Sequence, residues 1–397
     1  MKKRILLIPD AFFNNQSGAL VAHHITNLYI ENGDIMAVFF ENAHKYRDEN
    51  IVLFDRIPYK ASANWIEKEY KDEFQKVLDA FKPDLVFFLG VIINKNICYI
   101  DLCLKSNIKV AVMLFIQDFF CNRLYANLED GPCTRCLEGT YLHALRNQCG
   151  VSGIVDVIKL QNAALIRNRL RKLLPKVNYV IGSSKEQVDF YSRYGISDLK
   201  ILQCPLFFDE NRLSSLSVKM GDYFVCSGQN RLEKGIHLLQ YILPFCPNVK
   251  VKIVFSNQTD ANISLEKNGL KAFVETGQLE VLGNVSWDTG LSMIYAESRG
   301  IINPTIWPTT TEYALLEALG LKKTVITFDV GIHKEEIING VNGFRAPLGD
   351  FKQFAQYIKD ISNSDELYDK IGQGAYLLYQ KLVNKDTFMD CLIKVLN

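Results

Sequence analysis

The stretch of residues 5–40, ILLIPDAFFNNQSGALVAHHITNLYIENGDIMAVFF, predicts two strands joined by a helix. Its apolar start, Ile5–Ile8, is typical of a buried strand, and Leu20–Glu31 has a helical pattern. Asn32-Gly33 then predicts a turn into a second apolar run, Ile35–Phe40. Uninterrupted apolar runs separated by helices are typical of parallel strands that are covered on both faces. The stretch therefore predicts an α/β fold with a parallel sheet.

The same alternation continues along the chain and then starts a second time. In the first half, further strands are predicted at Asp84–Leu89, Val110–Phe115 and Tyr179–Ile181. After a serine-containing connector, the second half predicts strands at Tyr223–Cys226, Val249–Phe255, Leu279–Leu282, Gly300–Ile302 and Val325–Thr327. Two such halves predict two doubly wound, Rossmann-like domains that face a central cleft. Ligands of these folds bind at the carboxyl ends of the strands.

This pattern sets the expected domain boundaries. We assign residues 1–205 to the first domain and residues 206–375 to the second. The remaining residues, 376–397, look purely helical. We expect them to form a C-terminal helix that packs back on the first domain.

Composition excludes several other classes of protein. Among 397 residues, 45 basic side chains against 44 acidic ones leave a formal net charge of +1, so no global field favours nucleic acid. No stretch approaches the ~20 apolar residues of a membrane span, and the apolar run at the N-terminus stops at Pro9. We therefore expect a cytoplasmic protein whose ten cysteines are reduced.

Two loops between a strand and a helix are candidates for binding an anion or a sugar. The first, Asn14–Ala19, contains Gly18 but matches neither dinucleotide nor phosphate-loop spacing, so a plain turn is the alternative. The second, Ser227–Gly235, adds the charges of Arg231 and Lys234 to a helix start, where N–H groups already favour anions. A bound diphosphate would suit it, and a solvated charged turn is the alternative.

A third segment, Ile306–Gly320, carries two glutamates with different expected roles. Glu312 lies three residues after Thr309, which is capping-box spacing, so it should satisfy donors at the helix start. Glu317 lies among alanines and leucines, where a carboxylate is costly unless it has partners. It could accept hydrogen bonds from the two hydroxyls of a ribose, with a structural ion pair as the alternative.

In this order and spacing, the segments resemble the family-4 retaining glycosyltransferases, which have the two-domain GT-B fold. The matching pieces include Lys82-Pro83-Asp84-Leu85, Ile116-Gln117-Asp118-Phe119, Val180-Ile181-Gly182-Ser183-Ser184, Glu233-Lys234-Gly235, Leu316-Glu317-Ala318-Leu319-Gly320 and Asn342-Gly343-Phe344. The resemblance implies transfer of a sugar, with retention, from a nucleotide-diphosphate donor to a glycan or lipid-linked glycan. It also implies that catalysis needs no metal or other cofactor.

Site residues follow from the resemblance position by position. Lys234 falls on the lysine that contacts the donor diphosphate, and Glu317 falls on the glutamate that binds the ribose. The other residues expected at the donor are Gly18, Gly228, Gln229, Thr309, Thr310 and Thr311. Gln117 and Asp118 would face the transferred sugar or the acceptor, and Arg231 would assist Lys234.

Three positions depart from the family pattern. Thr309 stands in place of a glutamate, Gln229 in place of an arginine, and Gln117 in place of a histidine. These departures leave open a non-catalytic GT-B-shaped subunit that binds a glycan or a second transferase.

Four cysteines form a group with metal-ligand spacing. Cys121, Cys133, Cys136 and Cys149 include one C-x2-C pair, which would suit a closed structural zinc site. They lie in an insertion at about residues 119–150 that resembles one in enzymes of surface-polysaccharide synthesis. Four unrelated reduced thiols are the alternative.

A basic stretch between residues 167 and 176 indicates a further partner. Its members, Arg167, Arg169, Arg171, Lys172 and Lys176, are interleaved with leucines. This pattern is typical of a solvated helix face. Alternatively, it could bind anionic lipid headgroups, which would place the protein peripherally at the inner face of a membrane.

Overall fold

The protein is described from a computed structural model that covers residues 2–10, 12–13, 17–58, 64–90, 95–139, 141–150 and 153–397. The strands are β1 (Arg4–Pro9), β2 (Ile35–Phe40), β3 (Ile51–Asp55), β4 (Leu85–Gly90), β5 (Lys109–Leu114), β6 (Asn127–Leu128), β7 (Gly131–Pro132), β8 (Tyr179–Gly182), β9 (Ile201–Gln203), β10 (Tyr223–Ser227), β11 (Lys250–Val254), β12 (Leu279–Leu282), β13 (Gly300–Asn303), β14 (Thr324–Phe328) and β15 (Phe344–Ala346).

The helices alternate with these strands. They are α1 (Ser17–Glu31), α2 (Asn64–Phe81), α3 (Lys95–Lys105), α4 (Leu142–Arg146), α5 (Ile154–Leu173), α6 (Lys185–Tyr194), α7 (Asn211–Ser214), α8 (Leu239–Ile242), α9 (Gln258–Lys267), α10 (Lys271–Glu275), α11 (Ser292–Ala296), α12 (Tyr313–Gly320), α13 (Gly331–Glu336), α14 (Phe351–Asn363), α15 (Asp365–Leu382) and α16 (Lys385–Leu396).

The chain divides into two compact units. Unit 1 comprises Met1–Ala126, Thr134–Phe207 and Lys385–Asn397, and unit 2 comprises Asn127–Cys133 and Phe208–Asn384. Residues 376–382, which we assigned to a separate terminal segment, are part of helix α15 in unit 2.

Unit 1 is built on a seven-stranded parallel sheet. Its strand order is β3-β2-β1-β4-β5-β8-β9, with every neighbouring pair parallel. The central strands are apolar and buried on both faces, as their uninterrupted apolar runs predict. The last helix, α16, belongs to this unit: the Tyr29 hydroxyl donates to the Leu392 carbonyl at 3.2 Å, and Lys385 pairs with Glu31 at 2.9 Å.

Unit 2 is built on a six-stranded parallel sheet of order β12-β11-β10-β13-β14-β15. Helices begin here at side chains that accept from the first turn, as Asn257, Asp350 and Ser364 do. The strand order reverses between β10 and β13. The loops that follow these two strands therefore meet at one edge of the sheet, where ligands of doubly wound folds bind.

The predicted fold class, two doubly wound Rossmann-like α/β domains, is confirmed. Five strands are absent from the sequence-based prediction, namely β3, β9 and β15 of the two parallel sheets and the short pair β6 and β7. The sequence pattern also predicts a helix at Thr311–Leu319, and the observed helix begins at Tyr313. A second helix is predicted at Ile236–Leu243, where the structure has a 3₁₀ turn followed by the short α8.

Candidate functional site

The loop after β10 presents Lys234 at the point where the strand order of unit 2 reverses. A 3₁₀ turn, Leu232–Lys234, ends at Gly235, whose φ is 67°. A Cβ on Gly235 would lie 1.8 Å from the Pro304 carbonyl oxygen, so only glycine allows this approach. The Glu233 carbonyl accepts from the Thr305 hydroxyl at 2.9 Å, which holds the Lys234 turn against the loop after β13.

Glu312 brings together side chains from three separate segments of unit 2. One carboxylate oxygen, Oε2, accepts from Lys234 Nζ at 3.2 Å. The other, Oε1, accepts from Asn303 Nδ2 at 2.7 Å and lies 3.0 Å from His333 Nε2. Asn303 ends β13, and His333 belongs to the helix that follows β14. Glu312 is thus the centre of a buried polar cluster at the switch point of the sheet.

The expected capping role of Glu312 is wrong. The residue occupies the N-cap position of α12, but its side chain makes no capping hydrogen bond. Its carboxylate accepts from Lys234 instead, because an ammonium and two further donors compensate a buried charge better than a helix N–H does. The Thr309 hydroxyl, the expected partner in the capping box, donates to the Thr310 carbonyl at 3.2 Å.

The contacts of Glu312 keep it ionised. Burial alone would raise the pKa of its carboxyl group. The Lys234 ammonium and the hydrogen bonds from His333 and Asn303 outweigh burial and hold that pKa well below its usual value. The cluster therefore places a fixed negative charge beside the Lys234 ammonium.

Glu317 lies on α12 and pairs with an arginine from elsewhere in unit 2. Arg212 Nη2 lies 3.1 Å from Glu317 Oε1, and the Arg212 guanidinium also lies over the Trp287 ring, 5.3 Å from its centroid. Burial raises the pKa of the Glu317 carboxyl to about 7, although the Arg212 charge acts in the opposite direction. The structural ion pair that we weighed as the alternative is thus present, and Trp287 lies beside it.

The three threonines expected at the donor lie before helix α12. Thr309, Thr310 and Thr311 are buried, and α12 begins only at Tyr313. The Thr309 carbonyl accepts from the Ile332 N–H at 2.9 Å. The threonine segment therefore packs against the start of α13.

The remaining expected donor residues of unit 2 lie in the loop after β10. Gly228 donates its N–H to the Val254 carbonyl at 3.2 Å, and Gln229 is exposed. The Arg231 guanidinium is half exposed and lies 3.8 Å from the Glu233 carboxylate. Arg231 is thus directed toward Glu233, while Lys234 is directed toward Glu312.

Gly18, Gln117 and Asp118 belong to unit 1. Gly18 is the second residue of α1, and a Cβ there would lie 3.3 Å from the Phe115 ring, while Asn14, Asn15 and Gln16 of the same loop lie outside the described residues. Gln117 and Asp118 are fully buried. Arg167 Nε donates to the Asp118 carbonyl at 3.1 Å. Their roles toward a sugar or an acceptor stay predictions.

The four cysteines of the proposed zinc site are all thiols in the structure. Cys133 belongs to unit 2, whereas Cys121, Cys136 and Cys149 belong to unit 1. Within the described ranges, no group of three or more histidine, cysteine, aspartate or glutamate side chains is arranged to hold a metal ion. The geometry therefore lends the zinc hypothesis no support. It stays a prediction that elemental analysis of the purified protein can test.

The basic stretch of residues 167–176 is only in part the solvated helix face that its pattern indicates. Arg167 donates to the Cys121 carbonyl at 2.9 Å, Arg169 binds both oxygens of Glu67 at 3.0 and 2.8 Å, and Arg171 lies over the Tyr194 ring. These three arginines thus contact partners within unit 1, whereas Lys172 and Lys176 are exposed.

Apolar side chains lie on the exposed surface of the same helix. Val155, Ile158 and Leu165 are 65%, 55% and 67% exposed. Their spacing of three and seven residues puts them on one side of α5, which we call the α5 apolar face. In the part of the chain that the structure describes, no helix is long and apolar enough to cross a bilayer.

Two contacts of the site are not predicted by the sequence. Arg212 lies in the connector, 105 residues before Glu317, and no local pattern marks it. Asn303 is a polar residue at the carboxyl end of a strand, and this position is the sequence feature that could have indicated a site residue.

Part of unit 2 is similar to a known protein family. Residues 222–364, which contain Lys234, Glu312 and Glu317, match the family described as Glycosyl transferases group 1. The capsular polysaccharide biosynthesis glycosyltransferase CapM of Staphylococcus aureus is 27% identical over 176 residues. That alignment spans 42% of this chain and 44% of CapM. The chain thus spans less than half the length of this curated relative.

Solved structures resemble the chain over almost its entire length. Sucrose-phosphate synthase from Thermosynechococcus elongatus has a TM-score of 0.70 at 12% identity, covering 99% of this chain and 98% of that one. Anabaena Alr3699/HepE, solved in complex with UDP and glucose, has a TM-score of 0.68 at 15% identity and covers 99% of both chains. These similarities show the fold, which is the GT-B fold.

Proposed function

We propose that this chain is a glycosyltransferase that moves a sugar from a nucleotide-diphosphate donor to a hydroxyl group of a glycan. The observation that carries the proposal is the placement of Lys234 and Glu317 in the part of unit 2 that matches the glycosyltransferase family. The Lys234 ammonium can bind the diphosphate, and the Glu317 carboxylate can accept hydrogen bonds from the ribose. The complex of Anabaena Alr3699/HepE with UDP and glucose supports a nucleotide-sugar donor.

In the proposed reaction, Lys234 stabilises the negative charge that builds on the leaving diphosphate. Glu317 accepts hydrogen bonds from the ribose hydroxyls and so orients the nucleotide. Arg231 is exposed close by and adds positive charge to the same loop. Retention of configuration follows from the resemblance to family-4 enzymes, and we propose that the residues of the chain perform catalysis without a metal.

A lipid-linked acceptor at an anionic membrane surface is the second part of the proposal. It is supported by the α5 apolar face together with two exposed lysines, Lys172 near the end of α5 and Lys176 in the 3₁₀ turn that follows it. Apolar side chains beside lysines are typical of helices that lie in the headgroup region. CapM, named for capsular polysaccharide biosynthesis, supports a role in polysaccharide or glycoconjugate synthesis.

A nucleotide-sugar panel tests the proposed activity. Purified protein is incubated with UDP-, GDP- and ADP-sugars, and slow release of the nucleoside diphosphate is measured without acceptor. Lys234→Ala should lower turnover at saturating donor more than it lowers donor affinity, because charge on the leaving group develops mainly in the transition state. Exposed Lys271→Ala, on α10 of the same unit, is the matched control.

A non-catalytic subunit is the second candidate function. It is favoured by Gln117, Gln229 and Thr309, which stand where the family has a histidine, an arginine and a glutamate. Nucleotide binding without turnover of any donor, with or without acceptor glycans, would decide for this candidate.

A further inference from the structure

We propose that Glu312 is a positioning residue that holds the Lys234 ammonium in place for the donor diphosphate. The inference rests on the proposed function, because it needs Lys234 to contact the diphosphate. Neither the family resemblance nor the local sequence gives Glu312 this role.

The first step of the argument is the direct contact. Glu312 Oε2 lies 3.2 Å from Lys234 Nζ, and the Lys234 side chain is 28% exposed. A lysine has a long side chain with four rotatable bonds, so its ammonium is poorly placed unless a partner fixes it. Glu312 supplies such a partner, and the Lys234 side chain stays partly exposed.

The second step is that Glu312 is itself fixed. Its other oxygen, Oε1, lies 2.7 Å from Asn303 Nδ2 and 3.0 Å from His333 Nε2. The His333 side chain is fully buried. Asn303 and His333 also lie 3.3 Å apart, so the three groups form a closed set of contacts. Two further partners restrict the position of the Glu312 carboxylate more than a single partner would.

The third step concerns the backbone on both sides of the pair. The Lys234 turn is fastened to the loop after β13 by two hydrogen bonds to the Glu233 carbonyl, from the Thr305 hydroxyl at 2.9 Å and the Ile306 N–H at 3.1 Å. Lys234 and Glu312 are thus held by main-chain as well as side-chain contacts. Such preorganisation is what electrostatic stabilisation of a leaving group requires.

A double-mutant cycle tests whether Glu312 acts through Lys234. Glu312→Gln keeps the size and an acceptor oxygen for Asn303 but removes the charge that holds the ammonium. We expect it to lower kcat at saturating donor by about ten-fold or more, with UDP affinity within about three-fold of the wild type. In the Lys234→Ala background, the same substitution should change kcat by less than about two-fold, because the group it positions is absent.

Two controls separate positioning from general damage. Glu275→Gln removes an equal charge from a glutamate that is 66% exposed in the same unit, and it should leave kcat unchanged. Glu312→Asp keeps the charge on a shorter side chain and should recover part of the activity that Glu312→Gln loses. A purely structural role would lower the melting temperature and UDP affinity together with kcat.

The outcomes distinguish this inference from the proposed function. If the wild type turns over a donor and the two substitutions are additive, Glu312 acts independently of Lys234 and the inference is overturned, while the function stands. If the wild type binds no nucleoside diphosphate and uses no donor, the proposed function fails, and the positioning role fails with it. If the wild type binds UDP but turns over no donor, the catalytic role of Lys234 fails, and the positioning role of Glu312 fails with it.

Discussion

The guanidinium of Arg212 lies 3.1 Å from the carboxylate of Glu317, across 105 residues of sequence. This pair joins the connector that enters unit 2 to the helix that carries the expected ribose ligand. It also resolves how a carboxylate is tolerated among alanines and leucines: the buried charge has a cationic partner. A ribose at Glu317 would therefore meet a carboxylate that already has one partner.

The pH dependence of nucleotide binding follows from this environment. Burial raises the pKa of Glu317 to about 7, so the carboxyl group is partly protonated near neutral pH. Only the ionised form accepts from both ribose hydroxyls. We therefore expect nucleoside diphosphate affinity to increase as the pH rises through about 7 and then to level off. Calorimetry with UDP, GDP and ADP over this range measures it, and an affinity that is flat with pH would contradict the assignment.

Glu317→Gln should weaken nucleotide binding and remove its pH dependence near pH 7. The loss should be about 1–3 kcal/mol, the scale of a hydrogen bond to a charged group. The variant should keep the fold, because glutamine fills the same space and can accept from Arg212. If the purified variant binds all three nucleotides as the wild type does, the carboxylate does not hold a ribose.

Arg212→Ala should move the pH dependence without abolishing binding. The Arg212 charge opposes the effect of burial, so its removal should raise the pKa of Glu317 further. The midpoint of the affinity curve should then shift to higher pH. Arg193→Ala, at an exposed residue of α6, removes the same charge elsewhere and should leave the midpoint in place.

The α5 apolar face should control binding to anionic vesicles. Each apolar side chain that enters the headgroup region contributes about 1–2 kcal/mol. Replacing Val155, Ile158 and Leu165 by serine should therefore reduce co-sedimentation with phosphatidylglycerol vesicles by about ten-fold or more. Leu199→Ser, at a leucine that is 89% exposed, is the matched control and should bind as the wild type does.

The two lysines give an independent measure of the same surface. The double variant Lys172→Gln/Lys176→Gln should bind phosphatidylglycerol vesicles more weakly, with no change for phosphatidylcholine vesicles. Added salt should likewise weaken binding of the wild type to phosphatidylglycerol only, because it screens the lysine charges. Equal sedimentation of all variants would show that α5 does not contact the membrane.

The parallel sheets could be predicted from the sequence because their signal is local. A run such as Ile35–Phe40 shows an apolar strand within six residues. The strands Ile201–Gln203 and Phe344–Ala346 have three residues each, so neither is long enough to show a period. Their positions depend on pairing with the neighbouring strand of the sheet.

The site could be predicted only in part, for the same physical reason. Lys234 and Glu317 stand out locally, as a charge at a loop and a carboxylate among apolar residues. The local sequence predicts a capping role for Glu312 because capping-box spacing is three residues, whereas its partner Lys234 lies 78 residues away. Contacts of this kind are decided by the sheet order, which brings the loops after β10 and β13 together.

The turn that carries Lys234 offers a last prediction, at Gly235. Its φ of +67° is unfavourable for other residues, and an added Cβ would lie 1.8 Å from the Pro304 carbonyl oxygen. Gly235→Ala must therefore move the Lys234 turn away from the loop after β13. We expect it to lose stability and most donor turnover together.

Gly340 provides the matched comparison for this substitution. Its φ is +74°, but nothing lies within 4 Å of an added Cβ, so Gly340→Ala carries the backbone cost of about 1–2 kcal/mol without a clash. Urea denaturation and donor turnover should thus show a larger loss of stability for Gly235→Ala, and a loss of turnover for that variant alone. Because both glycines have nearly the same φ, the difference between the two variants isolates the contact with Pro304. Equal stability and equal turnover of the two would mean that the close approach at Gly235 does not fix the position of Lys234.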